Sequence, residues 1–72
     1  MALYRLLQNT AFEPEQIDSM AQAFEAVCLK LHLANRDDPL RDVIAEKVID
    51  WAKRGERKPE RLYQLALADI QG

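Results

Sequence analysis

Proline at positions 14, 39 and 59 sets the plan of this chain. Each stands just before a run whose apolar residues recur with helical spacing, and none falls inside such a run. Proline suits the first position of a helix, where its missing N–H would have no intrahelical partner. In a helix interior its ring clashes with the preceding turn and removes a hydrogen bond. The pattern therefore predicts three helix starts, with helices over about 14–32, 39–54 and 59–70.

The first helix has Glu13 at its N-cap, with Phe12 placed to meet Ile17 as a hydrophobic staple. Glu13, Glu15 and Asp18 match the positive end of the helix dipole. Ile17, Met20, Ala21, Phe24, Val27, Cys28 and Leu31 form one apolar stripe, while Glu15, Gln16, Ser19, Gln22, Glu25 and Lys30 face the other way. A polar turn from Ala34 leads to the second helix, with Asp38, or Asp37 beside it, at the N-cap. Gly55 closes that helix as a left-handed cap, and Lys53 and Arg54 complement its negative pole.

The second helix is unusually apolar around its girth. Leu40, Ile44, Val48 and Trp51 make its main stripe with Val43 beside them, and Ala45, Ile49 and Ala52 extend the surface to the other side. The arc is roughly 240°, against the 100° or so of an ordinary surface helix, so it should be flanked on two sides. In the last helix Leu62, Leu65, Ala66 and Ile70 point inward, and Tyr63 and Leu67 widen the stripe. Before Pro14, Leu3, Leu6, Leu7 and Ala11 follow an i, i+3, i+4, i+8 spacing. Residues 2–9 are read either as a short helix or as an extended arm packing the same leucines. The expected fold is all-α: a small three-helix bundle in a single domain, 1–72, with an additional N-terminal helical or arm segment.

Size and charge narrow the function. A chain of 72 residues with one cysteine has no internal disulfide, so packing or oligomerisation must stabilise it. A lone thiol suits a reducing compartment. The opening Met-Ala-Leu-Tyr-Arg-Leu-Leu-Gln is too short an apolar run for a signal peptide, and no stretch approaches the ~18–20 apolar residues of a membrane span. A cytoplasmic location with no membrane partner is expected. The net charge of −2 weighs against a dedicated nucleic-acid binder.

Few residues carry chemistry. Asp42, Glu46 and Asp50 recur at i, i+4, i+8 on one helix face, but a single face supplies too few oxygens for a calcium site. They read as a solvated acidic stripe leading to Arg54. Cys28 and His32 lie one turn apart, each the only residue of its kind, where a metal site needs about four ligands. Cys28 sits on the apolar stripe and reads as a small core hydrophobe, and His32 as a polar residue at a helix end. No catalytic, metal or cofactor residues are expected, and the chain is not read as an enzyme. The strongest polar feature is the basic cluster Lys53, Arg54, Arg57, Lys58 and Arg61, interrupted by Glu56 and Glu60. It suits an acidic partner, a phosphate group or nucleic acid. Surplus apolar residues (Leu3, Leu6, Leu7, Leu29, Ala45, Ile49, Tyr63 and Leu67) have two readings: the N-terminal segment covers the second side of the central helix within one chain, or the surplus serves a homodimer or another protein partner.

The run from Ala45 to Leu62, Ala-Glu-Lys-Val-Ile-Asp-Trp-Ala-Lys-Arg-Gly-Glu-Arg-Lys-Pro-Glu-Arg-Leu, comes after Ala11-Phe-Glu-Pro-Glu-Gln-Ile17 and before Leu62-Tyr-Gln-Leu-Ala-Leu67. Together these resemble a family of small uncharacterised helical proteins of alphaproteobacteria. The shared features are structural: a helix, a glycine cap, a polar turn and a further helix. The resemblance implies an all-helical bacterial cytosolic protein and transfers no active site. The functional expectation is a protein–protein interaction or regulatory module. The alternative is weak phosphate or nucleic-acid binding through residues 53–61.

Overall fold

The computed structural model describes residues 12–33, 35 and 37–72. It contains three helices: α1 (Pro14–Lys30), α2 (Pro39–Lys53) and α3 (Pro59–Gln71). Each helix packs against both of the others, and no strand occurs among the described residues. The fold is an all-α three-helix bundle. The expected segment at 2–9, with Leu3, Leu6 and Leu7, lies outside the described residues.

All three prolines occupy the first helical turn, and the capping groups explain two of the starts. Asp38 Oδ1 accepts from the Leu40 N–H at 2.9 Å, supplying a partner for a donor the helix leaves open. At α1 the Gln16 side chain reaches back to accept from the Glu13 N–H at 3.0 Å. Phe12 and Ile17 on either side of that cap both pack against the core. The start of α3 differs, because Lys58 stands at the N-cap and contributes no side-chain hydrogen bond.

Two helices end in the same motif on different residues. At the end of α2 the Gly55 N–H donates to the Ala52 carbonyl and the Glu56 N–H to the Trp51 carbonyl, with Gly55 at φ +103. This is the paired bonding of a Schellman cap. At the end of α1 the His32 N–H donates to the Leu29 carbonyl and the Leu33 N–H to the Cys28 carbonyl. There the left-handed position is held by His32, at φ 58. The expected helix end at residue 32 therefore moves back to Lys30, since a residue with positive φ cannot continue a right-handed helix. Lys53 likewise ends α2 one residue before the expected 54, and α3 runs one residue past 70 to Gln71.

The core is built from Met20, Ala23, Phe24, Val27 and Cys28 of α1, Ile44, Ala45, Val48, Ile49 and Ala52 of α2, and Leu62 and Ala66 of α3. Ala45 and Ile49 are thus inside the bundle, so the broad apolar arc of α2 is core and not a spare binding surface. Val43, expected beside the main stripe, is 41% exposed. Ala23 is buried although the stripe read from the sequence omitted it. Its methyl faces a neighbouring helix that the periodicity of α1 alone does not reveal. Among the described residues no buried side-chain nitrogen or oxygen lacks a hydrogen-bond partner. Burial of apolar side chains, at about 25 cal/mol per Å², is the main favourable term for a bundle of this kind.

Polar side chains tie the helices together at the edge of this core. The Trp51 indole Nε1 donates to Asp69 Oδ2 at 2.8 Å, joining α2 to α3. The Arg54 guanidinium lies 4.5 Å from the centre of the Trp51 ring. Trp51→Phe keeps the ring but leaves Asp69 without this donor. The bond is solvent-exposed, so we expect a loss of about 1 kcal/mol in urea unfolding. A change below the error of the measurement would mean that water replaces the indole at no cost.

A groove between α1 and α3 and the basic turn beside it

The basic cluster is exposed but not uniformly free. Lys53 ends α2, Arg57 lies in the turn, and Lys58 caps α3; among the described residues none of these three side chains has an internal hydrogen bond or ion pair. Arg54 is stacked on Trp51, where the ring's negative face attracts the cation. Arg61 stands 4.0 Å from the Glu56 carboxylate and donates to Gln64 Oε1 at 3.4 Å. The five cations therefore stand in two groups, one open to solvent and one already engaged with neighbours. An exposed pair such as Arg61 with Glu56 is worth little in water, so it does not hinder an incoming acid.

Beside this turn a shallow groove of about 410 Å³ runs between α1 and α3. Gln22, Ala23 and Ala26 form one wall, and Pro59, Glu60, Tyr63 and Gln64 the other. The lining is mostly apolar because two alanines, one turn apart on α1, leave room that a larger residue would fill. Leu29 lies one turn beyond Ala26 on the same side of α1 and is 76% exposed, the largest exposure of any bulky apolar residue among those described. Tyr63 and Leu67, expected as surplus surface, pack against the core with part of each side chain outside. Sequence reasoning placed Gln22 on a solvent face and gave Ala26 no role. The available signal was the small pair Ala23 and Ala26, since small residues at that spacing allow a neighbouring helix to come close.

The remaining candidates separate clearly. Cys28 is buried, 5% exposed, and burial raises its thiol above the ordinary value, with the charge of Arg41 opposing and Glu25 assisting. The Arg41 guanidinium lies 5.2 Å from the Phe24 ring centre and donates to the Leu33 carbonyl at 3.4 Å, closing the core near Cys28. A raised folded pKa means that the unfolded thiol ionises first as pH rises. Its contribution is therefore complete below the ordinary thiol value and declines above it, until the buried thiol also ionises. We expect Cys28 to react with a thiol reagent only through opening of the fold, at a rate that climbs with denaturant. Rapid labelling of the native protein, independent of denaturant, would overturn this. His32 is exposed at the α1 cap and points to no cluster, and Glu46 and Asp50 are exposed on α2. Among the described residues no three His, Cys, Asp or Glu side chains converge into a group able to hold a metal ion. No described helix is long and apolar enough to cross a membrane.

No family model, curated protein or solved structure matches this chain.

Proposed function

We propose that this protein is a protein-docking module and that its docking face is the α1–α3 groove with Leu29 at its edge. The observation that carries this reading is the pairing of an apolar groove of about 410 Å³ with a leucine 76% exposed beside it. Exposed apolar area of this kind is a cost in water that contact with another protein removes. The bacterial cytosolic setting implied by the resemblance is compatible with such a role. No residue serves as a nucleophile or base in this reading.

A photo-crosslinker in place of Leu29 tests the proposal in the native host, with the same crosslinker at exposed Glu46 as the control. We expect protein adducts from position 29 and none from position 46. No adduct at 29, or equal adducts at both, would remove this face from consideration.

A second reading, weak binding of phosphate groups or nucleic acid, is favoured by Lys53, Arg57 and Lys58, which no acceptor among the described residues engages. Binding to a generic oligonucleotide at low salt, falling steeply as salt rises, is its expected signature. The absence of binding at low salt would sink it.

A further inference from the structure

Acids dominate the charge beside the α1–α3 groove. On the α3 wall, Glu60 is the one charged side chain of the lining. On α1, Glu15, Asp18, Glu25 and Leu29 all fall within about 60° of the lining residue Gln22, at 100° per residue. Three exposed acids therefore run in a column along that wall, which ends on exposed Leu29. Among the described residues no hydrogen bond or ion pair neutralises any of the four carboxylates. The cations stand elsewhere. Arg61 is already against Glu56 and Gln64, and Lys58 falls about 140° around α3 from Tyr63. Lys30, the one cation of α1, lies a turn past Ala26 and outside the lining.

We propose that the occupant of this face is a cationic amphipathic helix of another protein, an inference that deepens the docking reading above and rests on it. The groove is apolar and shallow, so it takes side chains of a partner and leaves the partner's backbone outside. A helix laid along α1 presents its apolar side chains as one stripe, with Lys and Arg on either flank. The stripe covers Ala23, Ala26 and Leu29, one flank meets Glu15, Asp18 and Glu25, and the other meets Glu60. From Glu15 to Glu25 the acidic column rises about 15 Å, the rise of ten residues of any helix beside it, so the contacts stay in step. Binding strength comes from covering the apolar surface, and the carboxylates select the partner and speed its arrival. A second copy of this chain is disfavoured, because an isologous contact brings the same four acids from both sides.

A fluorescence-anisotropy titration of the full chain tests this with a labelled amphipathic probe peptide, leucine on one stripe and lysine or arginine on both flanks. We expect the peptide to bind with a Kd of about 10–100 μM at low salt, and about tenfold or more weaker when glutamate replaces its cations. Raising the salt to about 0.3 M should weaken it several-fold, because exposed charges are screened. Asp18→Asn, Glu25→Gln and Glu60→Gln combined, or Leu29→Ser alone, should each weaken binding about fivefold or more. Glu46→Gln with Asp50→Asn removes two acids from α2 and should leave binding unchanged. All these positions are exposed, and unchanged circular dichroism checks that the fold is kept. A cationic peptide that does not bind, an acidic one that binds as well, or an equal loss from the α2 pair overturns the proposal. So does undiminished binding by Leu29→Ser. If position 29 then still crosslinks to a protein in the native host, the docking reading stands and only the cationic partner is excluded.

Discussion

Phe24→Ala is expected to unfold most of the population of this protein at moderate temperature. The Phe24 side chain is fully buried, at 0% exposure, and is among the largest side chains enclosed by the core. Its removal forfeits the transfer of the ring from water and leaves a cavity that three short helices can close only partly. Such substitutions cost about 3–5 kcal/mol. At roughly 0.05–0.15 kcal/mol per residue, a chain of this length has only about 4–11 kcal/mol in total. The ring also lies under the Arg41 guanidinium at 5.2 Å, so the contact above the core goes with it. A thermal melt followed by circular dichroism should fall by roughly 15 °C or more, at about 4–8 °C per kcal/mol for a small domain. Phe24→Leu, which refills much of the volume, should recover at least half of the loss. A melt unchanged by Phe24→Ala would mean that the packing around α1 is not what holds the bundle.

Gly55→Ala should cost about 1–2 kcal/mol, by a different route. A Cβ at position 55 meets nothing within 4 Å, so no clash contributes. The cost is backbone strain alone, because φ +103 is a conformation that L residues rarely adopt. Two carbonyls of α2 depend on that conformation through the Gly55 and Glu56 N–H groups. Part of the strain is offset because alanine restricts the unfolded chain more than glycine does. The same motif at α1 gives the reverse expectation. His32→Gly relieves a left-handed residue at φ 58 and should stabilise by a few tenths up to about 1 kcal/mol, less the entropy glycine adds to the unfolded chain. Urea unfolding of both variants decides the matter. Opposite signs support strain at both caps, whereas destabilisation by His32→Gly would assign the His32 side chain a contact of its own.

The helices were legible because their signals are local. Proline at the first turn, Asp38 and Glu13 at the caps, and Gly55 at the end act within a few residues of chain. Their outcome depends little on what else the protein does. His32 shows where that reading fails. Its side chain marks a left-handed position only weakly, and the helical pattern runs through it to residue 32. The bonds that end α1 at Lys30 are made by the backbone beyond it.

The candidate site was legible only in part. The basic residues 53–61 stand out in the sequence, but their division into free and engaged members does not. It depends on Trp51 lying under Arg54 and on Gln64 reaching Arg61. Of the groove, only the small pair Ala23 and Ala26 left a trace in the sequence. Its two walls are separated by more than thirty residues of chain and meet only because α3 folds back on α1.

The sequence by itself determined that this protein is helical, where each helix begins, and which stripe of each helix turns inward. Those properties follow from proline geometry, capping chemistry and a 3.6-residue period, all local. Only the tertiary structure decided that Ala45 and Ile49 are core, that Val43 and Leu29 are surface, and that Ala23 and Ala26 meet Tyr63 and Gln64 across one groove. An apolar residue on a helix states a preference for burial, and the neighbouring helix decides whether that preference is met.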